Sequence, residues 1–401
     1  PDRNVNYQQY GGNSACDYDP DGDYFKVIEV WPSYNIISFT DSTITFKINQ
    51  ANQSTQFIDF HYKIEDELGF SNLTDSKASV FYNFESTHYE FLDINNISAK
   101  FSAFGNHFWD FDYLSHYFFP KQSQTQTLFT NTFWLGGMDQ NNQLHIAAEL
   151  YRQVREDYNT GPLSFNGDST WITEEVSNQY FMIWKIDKTE VEYHVLHYND
   201  PGYEPIKSIA NWPAHGDVSM GQAEYLAPFI DIDSNGVYDP LQGDYPLIRG
   251  DQMLFFIFND QMFYSGTLRD PLGVEIHGFA YAFDEPDKPW LNNSTFLSYK
   301  IFNRSPVTYN DTYAGIFTDL DIGWYQDDFT GCDVGRGAYY GFNGDPVDGQ
   351  GEPTSYGENP PAQGIVILGG PFMDPDGEDN PSGGCDLSIN GVGFGDGVAD
   401  N

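Results

Sequence analysis

The chain has 401 residues, with 59 Asp or Glu against 18 Lys or Arg, a formal net charge of -41, and 17% aromatic residues. That balance excludes partners gripped through phosphate groups, nucleic acid and anionic membrane surfaces alike, because Lys and Arg must supply such contacts. The aromatic content excludes wholesale disorder, and the sequence contains no apolar run of the ~18 residues needed to cross a bilayer as a helix.

From the N-terminus, PDRNVNYQQY shows neither an initiator Met nor an apolar signal region, so a processed or excerpted chain is expected. CDYDPDGDYF then sets Asp17, Asp19, Asp21 and Asp23 around Gly22, candidate oxygen ligands for calcium. Period-two alternation with β-branched and aromatic residues predicts strands in STITFKINQ (42–50), QFIDFHYKIE (56–65), KASVFYNFE (77–85) and HYEFLDINNISAKFSAF (88–104). We place a soft boundary here, giving an N-terminal β unit, 1–89, and a larger β domain, 90–401.

The same alternation continues through TQTLFTNTFWLGG, QLHIAAELYRQV, YFMIWKI, QMLFFIFND, VEIHGFAYAFD, TFLSYKIFN and TYAGIFTDLDIGW, between Gly, Pro and Asn breakers. One segment breaks the pattern. DKTEVEYHVLHY (187–198) carries a capping-box pair, Asp187 and Glu190, with Val191, Val195 and Tyr198 on one helical face. His194 and His197 on this helix have the spacing of a transition-metal pair, although such pairs more often pack or face solvent. His215, in NWPAHGD, and the Glu275–His277 pair, in GVEIHGF, have the same two readings, a reactive site or a satisfied interior hydrogen bond. The expected fold class is all-β, with antiparallel sandwich-like domains, long Gly/Asp-rich calcium-binding loops and one or two short helices.

The densest acidic segment is DIDSNGVYDPLQGDYP (231–246). Its D-x-D-x-N-G spacing puts Asp231, Asp233 and Asn235 at alternate positions before a Gly236 turn, with the Val237 carbonyl, Asp239 and Asp244 following. Gln242 stands where an EF-hand places its bidentate Glu, and the flanks read as strands, so a calcium loop of a non-EF kind is expected. An ion-free, Asx-rich turn is the competing reading. Two further acidic groups raise the same question: Asp319, Asp321, Asp327, Asp328 and Asp333 in TDLDIGWYQDDFTGCD, and Asp374, Asp376 and Asp379 in DPDGEDN.

Beyond Gly331 the composition turns to Gly, Pro and Asp, and the sequence stops at GFGDGVADN within another such turn, so more protein is expected to follow. The three cysteines, Cys16, Cys332 and Cys385, lack zinc-site spacing; they are either buried thiols or include a Cys332–Cys385 bridge across the Gly-rich tail. No nucleophile elbow, zinc-protease helix or phosphate loop is present, and GVGFGDG lacks the strand and helix of a dinucleotide site. A glycosidase needs only two carboxylates facing one another, and the chain offers 59 acids from which to draw them.

Seven segments together resemble a group of large secreted proteins of Bacteroidota exported by the type IX secretion system: FLDINNISAKF, FWLGGMDQNNQLHIAAELYRQ, NWPAHGD, FIDIDSNGVYDPLQGDYPLIRGDQ, LNNSTFLSYKIFNRS, NDTYAGIFTDLDIGWYQDDFTGCD and NPPAQGI. The likeness spans roughly residues 91–401 and leaves 1–90 outside it. It implies an extracellular or cell-surface protein, strengthens calcium at Asp231–Asp244, and implies a C-terminal sorting domain that this sequence does not include. The expectation is therefore a non-catalytic, calcium-stabilised surface β protein in adhesion or assembly, partnering copies of itself or other surface proteins. The alternative is a carbohydrate-active protein whose partner is a glycan.

Overall fold

The computed structural model describes residues 88–109, 114–150, 153, 155–261 and 266–370, with Val334 by backbone alone, and five strands between 26 and 81 by backbone alone. The chain divides into two compact units, Pro1–Glu85 and Ser86–Asn401. The described residues are mainly antiparallel β-sheet, in several small sheets rather than one clear sandwich, with four short helices.

In the first unit β1 (Lys26–Trp31), β2 (Ile36–Phe39), β3 (Ile44–Phe46), β4 (Thr55–Glu65) and β5 (Ser71–Phe81) form a sheet in the order β1-β4-β5 and a β2–β3 pair. The alternating QFIDFHYKIE lies within β4, whose pairing with β5 runs in unbroken register from Thr55 opposite Phe81 to Glu65 opposite Ser71.

The second unit opens with β6 (Tyr89–Leu92), β7 (Ser98–Ser102), β8 (Asn106–His107), β9 (Tyr117–Phe118), β10 (Gln126–Leu128), β11 (Thr130–Met138) and β12 (Leu144–Ala148). There follow β13 (Asn159–Thr160), the β14–β15 pair (Ser164–Phe165, Thr170–Trp171), α1 (Glu174–Gln179), β16 (Trp184–Asp187), α2 (Lys188–His197), α3 (Lys207–Ala210), β17 (Phe229–Ile230) and β18 (Tyr245–Pro246). The remainder is β19 (Gln252–Asn259), β20 (Val274–Ala282), α4 (Pro289–Asn292), β21 (Phe296–Asn303), β22 (Asn310–Asp319), β23 (Asp328–Asp333), β24 (Ala338–Asn343), β25 (Val347–Asp348), β26 (Gly357–Glu358) and β27 (Gln363–Val366).

The centre is the sheet β13-β19-β20-β21, with β16 also paired to β19. All eight residues of β19, QMLFFIFN, are buried, as a strand covered on both faces requires. Alternate side chains feed two cores. Leu254, Phe256, Phe258, Ile276 and Ala280 pack against Leu92, Phe101 and Tyr117 of the β10-β9-β7-β6 sheet, against Phe108 just after β8, and against Phe133 and Leu135 of β11. Met253, Phe255, Ile257 and Phe279 pack instead with Trp184 of β16 and with Val191, Ile209, Trp212 and Leu226 from α2, α3 and the loops after them. Gly278 sits opposite Phe256 because any Cβ there would lie 2.2 Å from that ring. One fully buried aromatic side chain contributes about 3 kcal/mol through removal from water, so this doubly covered strand pair carries much of the unit's stability.

The expected helix forms as α2. The Glu190 carboxylate accepts the Asp187 N–H at 3.0 Å, as the capping box requires. Its buried face is Val191 and His194, whereas Val195 is exposed; the helix lies rotated from the face that the apolar spacing indicated. His194 is drawn inward by a hydrogen bond between its Nδ1 and the Tyr203 hydroxyl, 2.9 Å. No described helix is long and apolar enough to cross a membrane.

Candidate functional site

The 231–246 segment is a loop closed at its base by β17 and β18, where Phe229 opposes Pro246 and Ile230 opposes Tyr245. Within it the acids fold back on the main chain. Asp231 accepts the Gly236 N–H at 2.7 Å and the Asn235 N–H at 3.3 Å; Asp233 accepts the Asn235 N–H at 3.1 Å and its amide at 2.8 Å. Asn235 Oδ1 in turn accepts the Val237 N–H at 2.6 Å, and Asp239 accepts the Leu241 N–H at 2.9 Å. These bonds favour the charged carboxylate, and the one from Gly236 does most to hold the Asp231 carboxyl below the usual range.

Asp244 is different: it is fully buried, and its two oxygens accept the Ile232 and Asp239 N–H groups at 2.8 Å each, tying the two halves of the loop together. His215 braces the loop from outside. Its Nε2 accepts the Tyr238 N–H at 3.0 Å while Nδ1 donates to the Glu224 carbonyl at 3.0 Å, and the Tyr238 hydroxyl donates to the Ile209 carbonyl at 2.7 Å. His215 thus takes the structural role of the two readings open to it. His194 is buried against Tyr203, while His197 pairs at the surface with Asp200 at 2.7 Å; their surroundings separate them.

Among the described residues no three His, Cys, Asp or Glu side chains are placed to hold a metal ion. A calcium set at this loop draws on Asn235 and the Val237 carbonyl as well, and every donor is a hard oxygen. Asp231, Asp233 and Asp239 retain lone pairs beyond those engaged by N–H groups, so the donor chemistry fits calcium. Asp17, Asp19, Asp21, Asp23, Asp374, Asp376, Asp379, Cys16 and Cys385 lie outside the described residues, and with them the Cys332–Cys385 bridge; Cys332 itself is an exposed free thiol.

The second acidic group is assembled at the end of β22 and the turn into β23. Burial first, and then Asp319 and Asp328, push Asp321 up to about 7; burial first, with Asp327 and Asp348 adding repulsion, pushes Asp328 up to about 6. Asp328 accepts the Ile322 N–H at 2.8 Å and Asp327 the Gly349 N–H at 2.9 Å, yet the Oδ1 atom of each is buried without a partner. Asp348, itself buried, accepts the Trp324 N–H at 3.0 Å. It was missed in the sequence, where its only signal is a following glycine in DPVDGQG. Asp333 turns away to pair with Arg336.

Next to this group, β23-β24-β27 presents an aromatic face. Phe329 opposes Phe342, and Tyr340 lies over Gly331, whose Cβ would come within 2.7 Å of the ring. Phe329 is 58% exposed, Val366 51%, and Tyr340 and Phe342 38% each. The alternate residues Tyr339 and Ile365 turn inward, Tyr339 bonding Thr318 at 2.8 Å.

A cavity of about 320 Å³ opens beside the end of β21, lined by Ala223, Tyr225, Glu275, His277, Ile301, Phe302, Asn303 and Arg304. Glu275 and His277 share one face of β20 and are buried, Glu275 Oε1 to His277 Nε2 being 2.7 Å. Glu275 Oε2 accepts the Leu163 N–H at 2.7 Å. Arg304, which the sequence did not single out, enters from the turn after β21; Nη2 donates to the Gly221 carbonyl at 2.9 Å, while its buried Nε has no partner.

Compared with protein-family models, with curated proteins and with solved structures, the chain finds no match. The functional reading therefore rests on the geometry above.

Proposed function

We propose that this chain is a non-catalytic, calcium-stabilised extracellular or cell-surface β protein that acts in adhesion or surface assembly, of the kind Bacteroidota export by type IX secretion. The observation that carries this is the exposed aromatic face of β23-β24-β27, where Phe329, Tyr340, Phe342 and Val366 stand in register on one side of a sheet whose other side feeds the core. Contiguous apolar surface is costly to leave in water, and such patches mark interaction sites. A second copy of the chain is the simplest occupant.

A net charge of -41 opposes contact between copies. Divalent cations relieve that repulsion by screening and by binding acids directly. Calcium bound by Asp231, Asp233, Asn235, Asp239 and the Val237 carbonyl would hold the loop's turns, and the unpartnered oxygens of Asp327 and Asp328, two donors and not a complete set, would draw a further cation close to the aromatic face in sequence. Association is thus expected to require calcium.

Light scattering of the purified protein with calcium and after chelation tests this. The expected result is a mass above that of one chain with calcium, falling to one chain on chelation, and one chain throughout for a Tyr340→Ser, Phe342→Ser variant. Single chains in all conditions would sink the assembly reading.

A further inference from the structure

The geometry points to the cavity beside β21 as a binding site for a sugar residue that carries a carboxylate, a uronic acid. This is independent of the assembly reading and gives the glycan alternative a definite place.

Arg304 supplies the first part. A guanidinium is charged at every accessible pH and presents five N–H donors in a planar fork that matches a carboxylate. In a chain with 59 acidic residues, Arg304 makes no ion pair among the described residues. Its Nη2 meets the carbonyls of Gly221 and Leu163, and its buried Nε has no partner. The long-range field of the protein repels anions, but at physiological salt it is screened beyond about 8 Å. Inside the cavity the charges that count are the Arg304 guanidinium and the Glu275 carboxylate, whose two oxygens are already engaged by His277 and the Leu163 N–H.

His277 supplies the second. A carboxylate can only accept, so Glu275 Oε1 receives the hydrogen of His277 Nε2, and Glu275 is fixed from its other side by the Leu163 N–H. The other ring nitrogen, Nδ1, makes no hydrogen bond to the described residues. This is the partner a hydroxyl seeks. These bonds hold the carboxylate and the imidazole in one orientation.

Tyr225 and Phe302 supply the third. They line the cavity yet are 54% and 41% exposed, rings available to the C–H face of a pyranose. A charged guanidinium, a fixed imidazole nitrogen and exposed rings suit a ligand with a carboxylate, hydroxyls and an apolar face, and about 320 Å³ lies at the small end of ligand pockets, room for one sugar residue. Glu275 is the single carboxylate among the lining residues, where hydrolysis of a glycosidic bond takes two, so the site binds rather than cleaves.

Isothermal titration with galacturonate tests the inference, with galactose, acetate and sulfate as comparison ligands. Saturable binding of galacturonate is expected, at least tenfold tighter than any of the three. Arg304→Gln is expected to weaken galacturonate at least tenfold and leave galactose unchanged. Because Arg304 also ties down Gly221, Tyr225→Ser at the exposed mouth serves as a variant that keeps the fold, with a severalfold loss expected. The inference is overturned if galacturonate does not saturate, if acetate or sulfate binds as tightly, or if both variants bind like the parent. Phe342→Ser, away from the cavity, should leave galacturonate binding intact, so failure of assembly and failure of this site are told apart.

Discussion

The loop 231–246 and the acidic group spanning Asp319–Asp348 are built from the same residues and behave in opposite ways. In the first, each carboxylate faces N–H groups of its own turn, and Asp231 is held below the usual range by the Gly236 N–H above all. In the second, Asp321 and Asp328 are pushed up by burial and by each other's neighbours. The number of aspartates is thus a poor guide to local charge. What decides is how many backbone donors each receives and how much water is lost around it. The first loop is closed by its own hydrogen bonds, whereas the second leaves buried oxygens at Asp327 and Asp328 without partners, the arrangement a cation would most relieve.

The largest expected effect is at the tie of the first loop. Asp244→Ala removes a buried carboxylate and leaves the Ile232 and Asp239 N–H groups unsatisfied. At about 1–3 kcal/mol for each of the two stranded groups, a loss of about 2–6 kcal/mol is expected in urea unfolding. A loss below about 1 kcal/mol would mean that water replaces the tie and that the loop is not closed internally.

Calcium comes next, and it separates the two regions directly. A hundredfold excess over Kd should stabilise the folded chain by about 2.7 kcal/mol, read as a rise in Tm that chelation reverses. Asp231→Asn with Asp233→Asn removes that rise if the ion sits in the first loop; Asp321→Asn with Asp328→Asn removes it if the second is the site. No rise in the parent protein would dismiss calcium from both.

The pH dependence should differ in sign. Asp321 and Asp328 keep protons in the folded chain that the unfolded chain releases near pH 4, so their contribution is complete below about pH 4 and is lost as pH rises through about 6 and 7. The slope is at most about 1.4 kcal/mol per pH unit per group. Asp231, shifted down, contributes above the ordinary carboxylate range and loses that contribution as pH falls through its lowered value. Urea midpoints between pH 4 and 7.5 should therefore fall with pH in the parent and fall less steeply in Asp321→Asn, Asp328→Asn, where Asp260 and Glu149, also raised by burial, to about 6 and about 8, keep the rest of the slope. An unchanged slope in that variant would show that the two acids are not crowded in solution.

The smallest effect is expected at Asp333, which leaves the acidic group for an exposed pair with Arg336. Arg336→Ala should change stability by less than about 0.5 kcal/mol. A larger loss would tie Asp333 to the cluster after all.

Residue order alone determined the local features. Alternation set the strands, because side chains point to opposite faces at every step, and QFIDFHYKIE and QMLFFIFN both lie in sheet as their patterns require. Asp187 and Glu190 set the start of α2, since capping acts within one turn. Asp231, Asp233, Asn235 and Gly236 were legible as a turn for the same reason. Tertiary structure decided everything that depends on residues far apart in the chain. It assembled small sheets where sandwich-like domains were expected, and it turned α2 so that His194 rather than Val195 is buried. It brought Asp348 to Asp328, and it set Arg304 beside Glu275 and His277. Such meetings follow from strand register and from which faces find cover, and no periodicity in the chain encodes either.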